Sequence, residues 1–575
     1  MQNTVQVDNR PARGLSLKSF FPWLGVFIFL GVFFFYPLAR ILWVGLNPVS
    51  VLALPSNAFL VIRETLVFTF YQSILSTLLT LALGLPVAFL FTRYDFPGKT
   101  FLRTLTAIPF ILPTVVVAAG FTALLGPRGW VNIALMHLFR LENPPVVFAG
   151  TLGAILLAHI FYNATIVIRI VGNALARLDP RLEQAARTLG ATPPRLFRQV
   201  TLPLLRPSIL AAGLLVFIFD FTSFGVVLLL GGPRFSTLEV EIYKQAMSFF
   251  NMPLAALLSL IQLLCTLVFS ILYSHLTRRT SVSLNPRRNL SIRPHTPLQR
   301  LFVTISCGLL LVFYALPLSS LPLRSITRLE ADEGQRGQVH YGLTGDYYRE
   351  LFVNRRDSIF YVPPVNALGN SLGYAALTVI LSLALGFPAA SALARPGRLD
   401  RLLDPFLMLP LGASAVTLGL GLIITFNKPL FGSQFQLLSS PLIVPIAHTI
   451  IALPFVIRTL QPALASIPER LRQAAANLGA TPQRVWFSVD WPIISRATLS
   501  AAVFAFTISL GEFGASSLVV RPEYPTLPIA IARFLSQPGG LNYGQAMAMA
   551  TILMAVCGIG ILFIERLRLP GVGEF

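Results

Sequence analysis

Residues 183–208, EQAARTLGATPPRLFRQVTLPLLRPS, return as residues 472–497, RQAAANLGATPQRVWFSVDWPIISRA. Gly190 matches Gly479, Pro203 matches Pro492, and Phe224-Gly225 match Phe513-Gly514, each pair 289 positions apart (479 − 190, 492 − 203, 513 − 224). The register holds without a gap to Thr237-Leu238 and Thr526-Leu527. A fixed spacing of this kind means an internal repeat, two versions of one unit. Each copy is a polar, basic island in an apolar chain.

The rest of the composition says what surrounds the islands. Of 575 residues, 55% are hydrophobic and only 12% charged, with a mean hydropathy of +0.72. Soluble domains carry about 25% charged residues, so much of this chain must be solvated by lipid. The net charge of +21 could suit nucleic acid, but the arginines sit in short loops between apolar runs. That distribution is the positive-inside pattern and excludes nucleic acid as the natural partner. Cys265, Cys307 and Cys557 each lie in an apolar run, with no CxxC or histidine at ligand spacing. They read as core residues, and no metal site or catalytic residue is expected.

A span needs about 20 apolar residues. Candidates run at about 20–44, 66–92, 104–125, 147–171, 204–230 and 252–276, then 300–323, 368–394, 403–426, 441–461, 497–519 and 543–564. The expected fold is therefore all-α, a polytopic membrane protein of about twelve transmembrane helices in two parallel six-helix repeats, residues 1–290 and 291–575. Counting from an inner N-terminus carrying Arg10 and Arg13, one side collects Arg93, Lys99, Arg181, Arg187, Arg195 and Arg198. The same side then receives Arg279, Arg287, Arg288, Arg395, Arg470, Arg484 and the tail Arg568. Both islands, near 180–203 and 469–492, and both termini are then expected to be cytoplasmic, in a prokaryotic plasma membrane. The linker at about 277–299 joins the halves. A long outer loop at about 324–367, holding Glu330, Asp332, Glu333 and Asp346, has no counterpart of its length and is expected to carry one or two short amphipathic pieces.

Within each island, Gln184-Ala185-Ala186 or Gln473-Ala474-Ala475 forms a short helix. Gly190 or Gly479 ends it in the left-handed conformation. Thr192 or Thr481 then caps a second helix that opens on Pro193 or Pro482, with Phe197 or Trp486 on its apolar side, and Pro203 or Pro492 marks entry to the next span. The product is a helix–turn–helix on the inner face, small enough to sit in another protein's groove.

This pattern resembles, twice over, the EAA loop of type I ATP-binding-cassette importer permeases, and the fused double form resembles the thiamine and ferric-iron permeases in particular. LLLGGPRFSTLEVEIYKQA (228–246) and GEFGASSLVV (511–520) carry the likeness to the thiamine branch. The resemblance implies a transport subunit that is not an enzyme. It implies coupling to two copies of a separate ATPase subunit through Glu183, Gln184, Ala185, Ala186 and Gly190, and through Gln473, Ala474, Ala475 and Gly479. It also implies an extracytoplasmic solute-binding protein as a partner. The usual glutamate is replaced by Gln184 and Gln473, so a hydrogen bond would stand where a salt bridge is expected. ATP and Mg would belong to the partner: Gly98-Lys99-Thr100 has Arg93 where a phosphate-binding loop needs its first glycine.

Ionisable residues inside spans are costly and default to functional candidates. Asp220 and Glu512 lie in the fifth and eleventh runs, beside Phe224 and Phe513; either two carboxylates near a shared axis favour a cationic cargo, or each is held by a neighbouring Ser, Thr or Arg or is protonated. His159 and His448 match at 289 and either line the path or hydrogen-bond across helices. The alternative reading is an ion-coupled secondary transporter using Asp220 and Glu512 as coupling-ion sites.

Overall fold

The computed structural model describes residues 17–278, 291–328, 342–353, 362–394, 397–428 and 436–567. Arg10, Arg13, Arg279, Arg287, Arg288, Glu330, Asp332, Glu333, Arg395 and Arg568 lie outside the described residues. Among those described, eleven helices are long and apolar enough to cross a membrane, or twelve if one bent pair counts as a span.

Ten of the expected spans are helices close to where the hydrophobic runs place them, the eleventh run being Pro482–Gly511. The others run over Pro22–Leu46, Ala58–Arg93, Leu152–Arg177, Met252–Leu276, Pro297–Ser325, Pro364–Ala394, Ile443–Ala465, Gly540–Gly560 and the long helix Pro193–Phe221. The third and ninth differ. The stretch 104–125 is broken into helices Lys99–Ala107 and Thr114–Leu125 by Pro109 and Pro113. The stretch 403–426 is helices Leu399–Gly412 and Ala415–Phe426, bent by 96°. Pro410 and Gly412 weaken the first helix end, and the Ser414 hydroxyl accepts from Thr417 N at 3.0 Å to start the second. Each of the short second helices has twelve residues, about 18 Å at 1.5 Å per residue.

These short helices are glycine-bearing, and each receives the first span of the other half. A Cβ at Gly421 would stand 3.0 Å from Pro37 Cβ, and one at Gly120 would stand 2.9 Å from the Pro317 carbonyl oxygen. Only glycine permits that approach, the usual means by which spans associate where lipid offers no hydrophobic drive. Trp23, Leu30 and Phe34 of the first span therefore share a core with Leu453, Val456 and Ile494 of the second half. Trp23 Nε1 also donates to Asp400 Oδ1 at 2.9 Å. The halves exchange their first spans.

The fifth and eleventh runs are interrupted. The helix Pro193–Phe221 ends, Thr222 and Ser223 are non-helical, and Gly225–Leu230 begins a new helix. In the second half Pro482–Gly511 ends and Gly514–Val519 begins. The chain then turns into the buried helices Leu238–Met247 and Leu527–Leu535. The backbone N–H of Leu238 donates to Thr69 Oγ1 at 3.0 Å, and that of Leu527 to Ser371 Oγ at 2.7 Å.

The long loop after the seventh span supplies a two-residue antiparallel pairing, Thr327–Arg328 with Gly342–Leu343, and a single helical turn Asp346–Arg349. Arg328 pairs with Asp346 at 3.3 Å, and the buried Tyr347 ring lies flat against Gly544, where no Cβ would fit.

Candidate functional site: paired hooks, rods and helix breaks

The hook helices are Pro180–Thr188 and Glu469–Asn477. Gly190 and Gly479 have φ of +83° and +80°, the left-handed conformation expected of them. Ala191 N donates to Ala186 O at 3.0 Å and Gly190 N to Arg187 O at 2.9 Å. Ala480 and Gly479 repeat both bonds on Ala475 and Ala476, at 3.0 and 2.9 Å. This double bond pattern closes a helix end. A Cβ at either glycine would meet open space, so the backbone angle alone selects glycine.

Gln184, Ala185, Gln473 and Ala474 are exposed, and Ala186 and Ala475 half-buried. Sequence reasoning missed Leu189 and Leu478, matched at 289 and each 88% exposed. Two apolar side chains held in solvent at equivalent tips mark a surface made to be covered. Glu183 points the other way. It is buried, ion-paired with Arg93 at the end of the second span, and accepts from Thr201 Oγ1 at 3.3 Å. Its match, Arg472, bonds Asp490, the match of Thr201, at 2.8 Å. Each hook is thus tied to its own base, with the charges reversed between halves.

The second short helix is not a separate element, contrary to the sequence expectation. It runs on into the span through one wide turn, Phe197–Thr201 and Trp486–Asp490, where Leu202 N donates to Phe197 O and Trp491 N to Trp486 O. Pro203 and Pro492 lack the N–H for a normal turn there, and a widened turn absorbs the misfit. Thr481 caps its helix by accepting from Arg484 N at 3.4 Å, whereas Thr192 makes no side-chain cap. The result is a 29- or 30-residue rod from each hook, about 43–45 Å long, ending at the helix break.

At the breaks, Phe224 and Phe513 meet across the halves, with ring centroids 5.5 Å apart and planes at 29°. Tyr243 adds a third ring, 5.5 Å from Phe224. The acids do not face each other, as a shared cation site would require. Asp220 turns into its own half: Asn163 Nδ2 donates to Asp220 Oδ1 at 2.7 Å, His159 Nδ1 lies 3.4 Å from the same oxygen, and Gln72 Nε2 donates to the Asp220 carbonyl at 2.9 Å. Glu512 turns into the other half and accepts from Ala515 N at 2.7 Å, Ser516 N at 2.9 Å and Ser516 Oγ at 2.7 Å, with His448 Nε2 at 3.3 Å. Both histidines hydrogen-bond across helices. His159 Nε2 is 2.8 Å from Ser223 Oγ, and His448 Nδ1 is 2.7 Å from Ser509 Oγ.

A family model described as "Binding-protein-dependent transport system inner membrane component" matches residues 80–282 and again 382–572, taking in both hooks and both breaks. The chain belongs to this family. The thiamine transport system permease protein ThiP of Brucella abortus (strain 2308) is 31% identical over 497 residues, 85% of each chain. ThiP of Escherichia coli (strain K12) is 28% identical over 508 residues, 88% of each chain. Among solved structures, a chain of a bacterial alginate ABC transporter in complex with an alginate pentasaccharide-bound periplasmic protein is 20% identical, with a TM-score of 0.38, and matches over 45% of this chain and 94% of that one. Membership in the family makes the protein a multi-pass, all-α inner-membrane permease of an ABC importer, with an ATPase and a binding protein as its partner classes.

Proposed function

We propose that this permease carries thiamine inward, driven by two copies of an ATPase subunit, one on each hook, and loaded by a binding protein on the outer face. Thiamine is favoured over ferric iron because ThiP is the name of the Brucella and Escherichia relatives. The observation that carries the coupling half of the reading is the continuity of hook and rod. A push on Leu189 or Leu478 acts on a stiff helix whose far end carries the Phe224–Phe513 contact.

In this reading Gln184, Ala185, Ala186 and Gly190, with Gln473, Ala474, Ala475 and Gly479, form the partner-facing surfaces, and Glu183 anchors the first hook from behind. Phe224 and Phe513 close the pathway between the halves. Asp220, Glu512, His159 and His448 fix the breaks at which the rods end. The chain performs no chemistry, and ATP with Mg belongs to the partner. Both termini and both hooks face the cytoplasm, and the unit boundary falls near 290. Ion coupling through Asp220 and Glu512 gains nothing from the geometry, since Glu512 is consumed by four local partners.

The test is uptake of labelled thiamine into vesicles holding permease, ATPase and binding protein. A Gly190→Asp, Gly479→Asp double variant places a charge on each hook with no steric clash and a left-handed backbone cost of about 1–2 kcal/mol per site, small enough for the fold to survive. ATP-driven uptake should be lost while the variant inserts normally. Full coupled uptake in the double variant would sink the hook assignment, and uptake of ferric iron but not thiamine would sink the cargo.

A further inference from the structure

A cavity of about 630 Å³ lies at the hook end of the first half, in the size range of small-molecule sites. It is lined by Leu85 and Phe89 of the second span, Val171 of the fourth, Phe197 and Leu205 of the rod, and Phe302 of the seventh span. Its walls are almost wholly apolar, which disfavours any polar occupant. At the matching place in the second half the described side chains meet. There Trp486, the match of Phe197, stacks edge-on against Phe387 with centroids 5.6 Å apart. Phe387 corresponds to Leu85, because the second spans align at 302 (386 − 84 for the glycines, 388 − 86 for the prolines). One ring contact therefore stands in the second half where Phe197 and Leu85 line a cavity in the first.

The rim of the open chamber is cationic. The Arg93 guanidinium lies 5.9 Å from the centroid of the Phe89 ring, and Lys99 Nζ donates to the Tyr94 carbonyl at 2.7 Å, both on lining residues. Arg93 is already paired with Glu183. Lys99, half-buried at the rim, holds its ammonium on a neutral carbonyl and has both the Asp95 carboxylate and the Arg103 guanidinium as charged neighbours. An apolar chamber in the membrane with ammonium and guanidinium groups at its mouth matches one chemistry, a hydrocarbon chain below an anionic headgroup.

We propose that this cavity holds one acyl chain of an anionic phospholipid from the cytoplasmic leaflet, with its phosphate at Lys99. The placement rests on the reading of the hook end as cytoplasmic. Because Phe197 belongs to the wide turn joining hook to rod, the lipid tail props the first hook much as Trp486 props the second. The first hook then depends on its membrane in a way the second does not.

The test uses the isolated permease, so it reads the lipid site independently of ATPase coupling. Nanodiscs with equal phosphatidylglycerol and phosphatidylcholine are stripped in detergent, and retained lipid is counted by native mass spectrometry. One phospholipid should stay per chain, with several-fold preference for phosphatidylglycerol. Leu205→Trp, which fills the chamber, should lose most of it, and Lys99→Glu should lose the preference. In parallel, a photoreactive benzoylphenylalanine at position 302 should form a phospholipid adduct in native membranes, a readout that survives if Leu205→Trp does not fold. Equal retention of the two lipids, unchanged retention in Leu205→Trp, or a cross-link only to the chain's own residues 279–290 would each overturn the proposal.

Discussion

The two helix breaks are built on one plan with the acid moved by one turn. In the first half the pair of positions is Asp220 and Ser223; in the second it is Ser509 and Glu512, the same positions by the 289 spacing (509 − 220, 512 − 223). In both, one histidine spans the pair. His159 sits between Asp220 and Ser223, and His448 between Ser509 and Glu512. One carboxylate, one hydroxyl and one imidazole per break are kept, but their surroundings differ. Glu512 lies beyond the helix end and takes up the free N–H groups of the next helix, as an N-cap does. Asp220 lies inside its helix, leans on Asn163, and its Oδ2 makes no hydrogen bond among the described residues. The requirement is a hydrogen-bonded polar lock at the break, and two sites on one turn can supply it.

That contrast breaks first at Glu512. In Glu512→Gln one oxygen becomes an NH2 group facing main-chain donors, and each donor left unsatisfied costs about 1–3 kcal/mol. The apparent unfolding midpoint of the purified permease should fall clearly. Next, transplanting the second half's arrangement, Asp220→Ser with Ser223→Glu and Val227→Ser, should recover stability that Asp220→Ser alone loses. Coupling between touching sites runs about 0.5–3 kcal/mol, and strict additivity of the three changes would show that the two breaks are not interchangeable. A smaller effect is expected at the hooks. Gly190→Ala and Gly479→Ala should each cost about 1 kcal/mol through the left-handed backbone alone, equally in both halves. Hydrogen exchange of Ala185–Leu189 and Ala474–Leu478 reads this directly, and a marked difference between hooks would break the symmetry. Smallest of all is Asp220→Asn. Its NH2 can take the place of the unbonded Oδ2, so the midpoint should move by only a few tenths of a kcal/mol, well below Glu512→Gln.

Much of this was legible in the chain. Periodic polar islands announce themselves in an apolar sequence, so the repeat, the left-handed glycines and the family were within reach. The breaks in the third and ninth spans were not, because hydrophobicity alone does not report a bend such as the 96° one at Pro410–Ser414 in the ninth. The second spans also escaped alignment. They repeat at 302, thirteen residues out of register with 289, and their common features are the sparse Gly84, Pro86, Gly386 and Pro388. The acids were found with two readings open, a shared axis or local partners: position in a span says that a carboxylate is buried, and only its partners say which way it turns. Leu189 and Leu478 passed unnoticed since a leucine in an apolar chain carries no signal until its exposure is known.

The most direct measurement concerns the link from hook to axis. With Cys265, Cys307 and Cys557 replaced, Phe224→Cys and Phe513→Cys are joined by a short thiol cross-linker in the reconstituted importer. If the rods work by parting this contact, cross-linking should stop thiamine uptake and reductive release should restore it, while ATPase binding to the hooks persists. Uptake at the full rate with the two positions covalently joined would contradict the mechanism outright.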